Sequence, residues 1–386
     1  MEFTSIRDPV HGQIMLDSLE TRLMDTPDFQ RLRGIKQLGV TYLVYPGAHH
    51  TRFEHSIGTA HLAGLMGKQI GLEADELVML RIAALLHDIG HCAFSHDSEN
   101  VLLSIIGSHE KLGIGRIRSS PIKDIICENY TAKKISDIAF GESFGQLITS
   151  DIGADRLDYL LRDAHYTGVA YGVIDWSRIV ARLCWHSNAP AIEIGGLEAA
   201  ESVMLARFSM FHTVYYHHAV RIARSMFIQA LKSALSQKDF DAELITNEGD
   251  FALLSRLWKT PSSASITGAF ANRQLYKRAL VASWPSLSQS AKKYVIDGKF
   301  ASDLQDEFSD SALVDLPVDF QTCAKISILS ADGTRKPLSI QSSISASLEK
   351  AANERATLIV CAPKDKLKKV GEFASKRLGV QNKNGV

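Results

Sequence analysis

His87-Asp88-Ile89-Gly90-His91 sets two imidazoles and a carboxylate within five residues, just after an apolar helical run that begins at Glu76. Eight of the fourteen histidines lie between His49 and His109. Arg52-Phe53-Glu54-His55 stands upstream, and Asp151-Ile152-Gly153-Ala154-Asp155-Arg156-Leu157-Asp158-Tyr159 follows far downstream. Imidazoles and carboxylates dispersed in this way can converge on one divalent ion. Adjacent residues on a regular helix point about 100° apart. His87 and Asp88 therefore reach one ion only if it sits over the helix end, with other segments closing the shell. His55 and Asp155 are the candidates for that closure. Such a donor set suits Mn, Fe, Ni or Zn, and Mg less well. A His-Asp dipeptide alone is a common pairing; its combination with the other two blocks carries the reading.

Outward from this knot the first 235 residues read mostly as helix. Leu77, Leu80, Ala84 and Leu85 share an apolar face on the run Glu76 to His87, and Gly90 is a natural place for that helix to stop or bend. Thr26-Pro27 can start a helix whose apolar face is Phe29, Leu32, Ile35 and Leu38. Ile57 to Ile70, Asp155 to Ala164 and Glu198 to Leu231 read as further helices. Composition changes near Ser236, and residues from about 240 to 312 read as short helices. After Leu316-Pro317, Ala324–Leu329 and Lys336–Ile340 around Asp332-Gly333 resemble a hairpin. A helix from Ser343 to Asn353, a strand Thr357–Ala362, a helix near Lys366–Leu378 and a frayed polar tail from Gln381 complete the pattern. The expected division is a core over 1–235, a helical extension over 236–315 and a small α+β region over 316–386.

Lys+Arg and Asp+Glu both number 43, so no global basic field points to nucleic acid, although local cationic patches would serve a triphosphate. Five dispersed cysteines without a CxxC pair suit reduced thiols better than a disulfide framework. The start Met1-Glu2-Phe3-Thr4 lacks signal-peptide character, and no run approaches the ~18 apolar residues of a membrane span. A soluble cytoplasmic protein is the expectation.

Arg7-Asp8-Pro9-Val10-His11-Gly12, Asp25 through Arg33, Ile35–Leu38, Pro46-Gly47-Ala48, Arg52–Ser56, His87–His91, Phe94-Ser95-His96, His109-Glu110, Asp155–Asp163 and Tyr215-Tyr216-His217 together resemble the HD-domain deoxynucleoside triphosphate triphosphohydrolases. The likeness is to the branch of the SAM-and-HD-domain enzyme and its microbial relatives, strong over about 5–230 and looser beyond. It implies a mainly α fold, an all-helical HD-domain core with a small C-terminal α+β appendage. It implies a metal-dependent enzyme that splits a dNTP into deoxynucleoside and tripolyphosphate.

The resemblance assigns roles residue by residue. His55, His87, Asp88 and Asp155 are the implied metal ligands. His91, His96 and His109 are the catalytic imidazoles, with His96 protonating the departing 5′ oxygen and Glu110 orienting His109. Arg156, Tyr159 and Arg207 bind the triphosphate; the family carries Lys at the first of these, so the fork of Arg changes the contact. Gln37, Leu38, Arg52 and Asp163 lie on the sugar side, and a ring at Tyr215 leaves no room for a 2′-hydroxyl. Asp25, Gln30 and Arg33 match a site for an activating guanine nucleotide (GTP or a dNTP) at a subunit interface, which implies a homo-oligomer, dimer or tetramer.

Blander readings stand beside these. Arg156, Asp158, Arg162 and Asp163 also suit an ordinary charged helix face, Tyr215 and Tyr216 suit a core, and Asp25 suits helix capping. His11, His61, His165, His186 and His212 read as packing or surface residues. An HD phosphohydrolase acting on another nucleotide is one alternative function, although Ile89-Gly90 replaces the acidic pair that follows His-Asp in alarmone hydrolases. A non-catalytic nucleotide-sensing or nucleic-acid-binding scaffold is another.

Overall fold

The computed structural model describes residues 4–237, 240–317 and 325–381, so Ala324, where the expected hairpin begins, and the tail beyond Gln381 lie outside the described residues. The chain forms two compact units that alternate along the sequence. One comprises 1–211, 241–253 and 322–346; the other comprises 212–240, 254–321 and 347–386. The composition changes noted near 236 and 316 fall close to two of the five crossings between them.

The first unit is built on the helix Arg52–Gln69, which is buried on nearly every side and packs against Ala74–Leu86 and Ala154–Thr167. A helix buried all round must be apolar or small all round. Ile57, Ala60, Leu62, Ala63 and Met66 fill the core, and Gly58 permits the closest approach. A Cβ at Gly58 would lie 1.9 Å from Asp158 Oδ1 and 2.4 Å from Arg162 Nη2. Glu54 reaches back to the backbone N–H of Thr51 at 2.6 Å and fixes where this helix begins. Ala74–Leu86 ends as the sequence suggests, with His87 at its C-cap.

Several segments depart from the helical reading. Thr4–Asp8 and Gly12–Leu16 pair as an antiparallel hairpin, too short for a clear alternating signal. Pro27–Gln30 is only one turn, followed by a 3-10 turn Arg31–Gly34; the chain then extends so that Lys36 bridges Thr51. The expected helix from Glu198 to Leu231 is two helices, Leu197–Met210 and His218–Leu235, parted by the π turn Phe211–Tyr215 and by His217, whose ring caps the second. Leu183–His186 and Ala189–Glu193 form a hairpin. Its second strand pairs in parallel with Ser327–Leu329, and that strand pairs in turn with Arg335–Pro337. The expected C-terminal hairpin thus forms, inside the first unit.

In the second unit Thr357–Ala362 is the middle strand of an antiparallel sheet between Lys277–Ser283 and Leu313–Asp315. Lys277–Ser283 corrects the all-helical reading of 240–312. Leu280, Phe300, Leu304, Leu358, Val360 and Val370 close the core under the helices Lys299–Phe308 and Leu367–Leu378. The fold as a whole is mainly α with small sheets, as expected.

Candidate functional site

Three helices meet at the predicted metal centre. Arg52–Gln69 contributes His55, the end of Ala74–Leu86 contributes His87 and Asp88, and the first turn of Ala154–Thr167 contributes Asp155. His55 Nε2 lies 3.1 Å from Asp155 Oδ1 and 3.5 Å from Asp88 Oδ2. His87 Nε2 lies 3.5 Å from Asp88 Oδ1 and 3.7 Å from Asp155 Oδ1. The two imidazole planes meet at 70°, so their in-plane lone pairs can converge.

The far side of each ring is held. His55 Nδ1 is 2.7 Å from Asp158 Oδ2, and His87 Nδ1 is 2.7 Å from the carbonyl of Ala84. Both bonds hold a proton on Nδ1 and turn Nε2 inward, where a metal would take the place of any proton. Both Nε2 atoms are buried without a hydrogen-bond partner. An unpaired buried acceptor is costly; a divalent cation would satisfy both, and the donor set fits one. Burial works against charge on His55, but in the absence of a cation the neighbouring Asp155 and Asp158 carboxylates outweigh it and lift the ring to about 10, so a metal binding at Nε2 would displace a proton. Burial likewise raises Asp88, yet the Arg52 guanidinium overrides it and holds this carboxyl well below the usual range. Asp155 is the open side of the cluster, with 37% of its side chain exposed against none for His55.

Behind the ligand shell the network continues. Asp158 accepts both Arg162 Nε and Nη2 at 2.9 Å, and its Oδ1 lies 2.7 Å from His11 Nε2. Asp8 Oδ2 accepts Arg162 Nη1 at 2.8 Å. Asp158 and Arg162 are therefore a buried ion pair rather than an exposed charged face. His11, expected as a packing or surface residue, braces the carboxylate behind His55. No spacing in the sequence announces that contact, because the hairpin brings it from 147 residues away.

Beside this cluster stand His91, His96 and His109. His91 and His109 stack at 4.2 Å with planes 10° apart, and His96 stands edge-on to His91 at 4.7 Å. Parallel rings keep their in-plane lone pairs in separate planes and cannot aim both at one ion. One nitrogen from each of the three rings lies within 4.8 Å of the others, but the parallel planes of His91 and His109 argue against a shared ion. Burial and the nearby Arg52 charge push the His91 imidazole well below its usual range, so it is neutral.

Glu99, and not Glu110, is the carboxylate bonded to two of these imidazoles. Its Oε1 lies 2.6 Å from His109 Nδ1 and its Oε2 lies 2.9 Å from His96 Nδ1, whereas Glu110 is exposed in the first turn of His109–Ile117. Burial raises the Glu99 carboxyl, but the bonds from His109 and His96 overcome it and hold it well below the usual range. The signal was present as His96-x-x-Glu99, an i,i+3 pair on one helix face. Gly90 lets the two elements meet: a Cβ there would lie 2.0 Å from the His109 carbonyl and 2.3 Å from Gly113 N.

The remaining predicted residues are distributed as follows. Arg52 is buried and donates to Asp88 Oδ2 at 2.6 Å and to Ser95 Oγ at 2.9 Å, which ties it to the metal cluster. Gln37 Oε1 is buried without a hydrogen-bond partner, next to half-buried Leu38. Asp163 Oδ1 lies 2.8 Å from His50 Nε2, whose ring stacks on Tyr166 at 4.7 Å. Arg156 is paired with Asp151, while Tyr159 and Arg207 are half-buried on their helices. Tyr215, half-buried on the π turn, belongs to the second unit. Gln30 accepts from Arg33 Nε at 2.8 Å and donates to the Met24 carbonyl at 2.9 Å, and exposed Asp25 closes the preceding helix.

Residues 52–163 match the HD domain and residues 174–385 match the HD associated region. The chain belongs to the HD phosphohydrolase family, in the group related to the deoxynucleoside triphosphate triphosphohydrolases. An uncharacterized protein of Methanocaldococcus jannaschii is 35% identical over 380 residues, covering 95% of this chain and 81% of that protein. Deoxynucleoside triphosphate triphosphohydrolase SAMHD1 of Homo sapiens is 33% identical over 288 residues, covering 59% of this chain and 44% of that protein. The aligned part is thus under half of SAMHD1. A hypothetical protein from Aquifex aeolicus superposes with a TM-score of 0.81 at 29% identity, covering 96% of this chain and 99% of that one. A phosphohydrolase from Bacteroides thetaiotaomicron does so with 0.74 at 25%, covering 94% and 100%. HD domains are metal-dependent hydrolases. Among the described residues no helix is long and apolar enough to cross a membrane.

Proposed function

We propose that this protein is a dNTP triphosphohydrolase that uses His55, His87, Asp88 and Asp155 to hold a divalent metal and releases deoxynucleoside and tripolyphosphate. The supporting observation is the pair of buried, unsatisfied Nε2 atoms of His55 and His87 beside three imidazoles, two of them anchored by one carboxylate. A bound cation would neutralise phosphate charge and supply electrophilic assistance at phosphorus.

The protein's own groups do the rest. Glu99 keeps Nδ1 of His96 and His109 as donors and leaves their Nε2 edges for the phosphate. His96, the most exposed of the trio at 64%, protonates the 5′ oxygen, a poor leaving group as an alkoxide. His91 and His109 bind phosphate oxygens, joined by Arg156, Tyr159 and Arg207. Gln37 Oε1 takes a sugar hydroxyl, with Leu38, Arg52 and Asp163 on the same side, and Tyr215 excludes a 2′-hydroxyl. Asp25, Gln30 and Arg33 receive an activating guanine nucleotide at a contact between copies in a homo-oligomer.

The test is incubation with each dNTP and NTP, with Mn or Mg and with or without GTP, followed by product identification. Tripolyphosphate from dNTPs alone, stimulated by GTP, is expected. Pyrophosphate or phosphate as first product would overturn the cleavage position. Equal turnover of ribonucleotides would remove the Tyr215 gate, and indifference to GTP would remove the activator.

A further inference from the structure

Asp250 lies outside the HD domain, in the HD associated region, and is 3% exposed. Its Oδ2 accepts the backbone N–H of Lys36 at 2.9 Å and its Oδ1 accepts that of Phe94 at 2.7 Å. One segment leads into Gln37 and Leu38, the other into His96. Neither bond belongs to a helix or sheet. The approach is tight, since a Cβ at Gly249 would lie 2.8 Å from the Gly34 carbonyl oxygen.

The loop so held is strained. Phe94 and Ser95 both have positive φ, 60° and 52°, in a region that side chains other than glycine rarely adopt. Such residues persist only where the surroundings over-determine them. Here Phe94 N goes to Asp250, and Ser95 Oγ accepts Arg52 Nε at 2.9 Å and donates to the Lys36 carbonyl at 3.0 Å. Asp97 Oδ2 accepts Val40 N at 3.1 Å, a second tie between the same two segments.

We infer that Asp250 is a positioning residue, a strut from the HD associated region that fastens the Gln37 segment to the His96 loop and so sets the spacing between sugar recognition and proton donation. The catalytic part of this inference rests on the roles given above to Gln37 and His96; the strut itself does not. Packing alone would not choose a buried carboxylate here. Lys36 Nζ is 3.9 Å away, Asp97 acts on it with like charge, and the Tyr42 hydroxyl feels the same carboxylate. Burial pushes the carboxyl up to about 6 in spite of the two N–H bonds and Lys36.

The test compares wild-type protein with Asp250→Asn, which keeps the size but offers an amide N–H to one of the two backbone donors. Hydrogen exchange of peptides covering residues 34–40 and 90–97 is followed at neutral pH, with metal content and dNTP kinetics measured alongside. Exchange in those two peptides is expected to quicken at least tenfold while the helix Arg52–Gln69 stays protected. Metal content should hold and kcat should fall at least tenfold. Exchange that is unchanged, or quickened evenly through the molecule, overturns the strut. Local quickening with unchanged kcat overturns the positioning role. Ser95→Ala, which cuts the neighbouring tie to Lys36 together with the bond from Arg52 Nε, should loosen the same two peptides and serves if Asp250→Asn does not fold. A wild type without triphosphohydrolase activity would fail the functional reading, and exchange would still decide the strut.

Discussion

Asp158 Oδ2 lies 2.7 Å from His55 Nδ1, and neither side chain has any exposure to solvent. Through this contact a carboxylate that is not itself among the proposed ligands fixes which nitrogen of His55 faces the proposed metal site. Arg162 and His11 fill the rest of the carboxylate's acceptor capacity, so it is locked in turn. Asp158→Asn should weaken metal binding roughly 10–100-fold, the usual consequence of losing such a partner. Equilibrium dialysis with Mn or Zn measures it, and wild-type affinity in the variant would show that the contact does not tune the site. The variant should also melt earlier, because Arg162 keeps only Asp8 as a buried counter-charge.

Glu99→Gln should retain metal while lowering kcat. The amide can accept from only one of His96 and His109, so one ring loses its anchor. General acid catalysis is typically worth about 10²–10⁴-fold, and a fall in kcat within that range, with normal metal content, is expected. Glu110→Gln should change kcat little, since that side chain is exposed.

Gly90→Ala should prevent His87–His91 from closing on the helix His109–Ile117. The atoms a Cβ would meet at 2.0 and 2.3 Å are backbone and cannot swing away. Overpacking generally costs about 1–3 kcal/mol, and a clash with backbone should reach the upper end. A thermal melt unchanged from wild type would mean that the two elements are not held at this separation.

Asp250 gives a signed pH effect. Its folded value near 6 stands above the roughly 3.9 of an unfolded aspartate. Between those values the folded state binds more protons than the unfolded state, so this group's contribution falls as pH rises and levels off above 6. Relative to Asp250→Asn, wild-type protein should lose on the order of 2–3 kcal/mol of unfolding free energy from pH 4 to 7. Denaturant melts at several pH values measure the difference, and parallel curves would contradict the assignment.

The core helices were legible in the sequence because their apolar and small residues run on for several turns, Arg52–Gln69 being buried on nearly every side. Ala74–Leu86 ends at His87 as its apolar face and Gly90 suggest, and Thr357–Ala362 reads as a strand because its apolar run is short and bounded. The N-terminal hairpin and Lys277–Ser283 were not legible, since five to seven residues with mixed polarity carry little periodicity. The break between Met210 and His218 was hidden by an apolar pattern that continues across it.

The residue types at the site were fixed by the chain itself: His55, His87, Asp88 and Asp155 as donors, and His91, His96 and His109 as neighbours. The sequence could not say how protons are distributed among them, because that depends on contacts between segments far apart in the chain. Only the fold put Asp158 and His11 behind His55, Glu99 between His96 and His109, and Asp250 against Phe94 and Lys36. A side chain's identity is written locally. Its tautomer and charge are set by burial and by the partners that tertiary packing supplies.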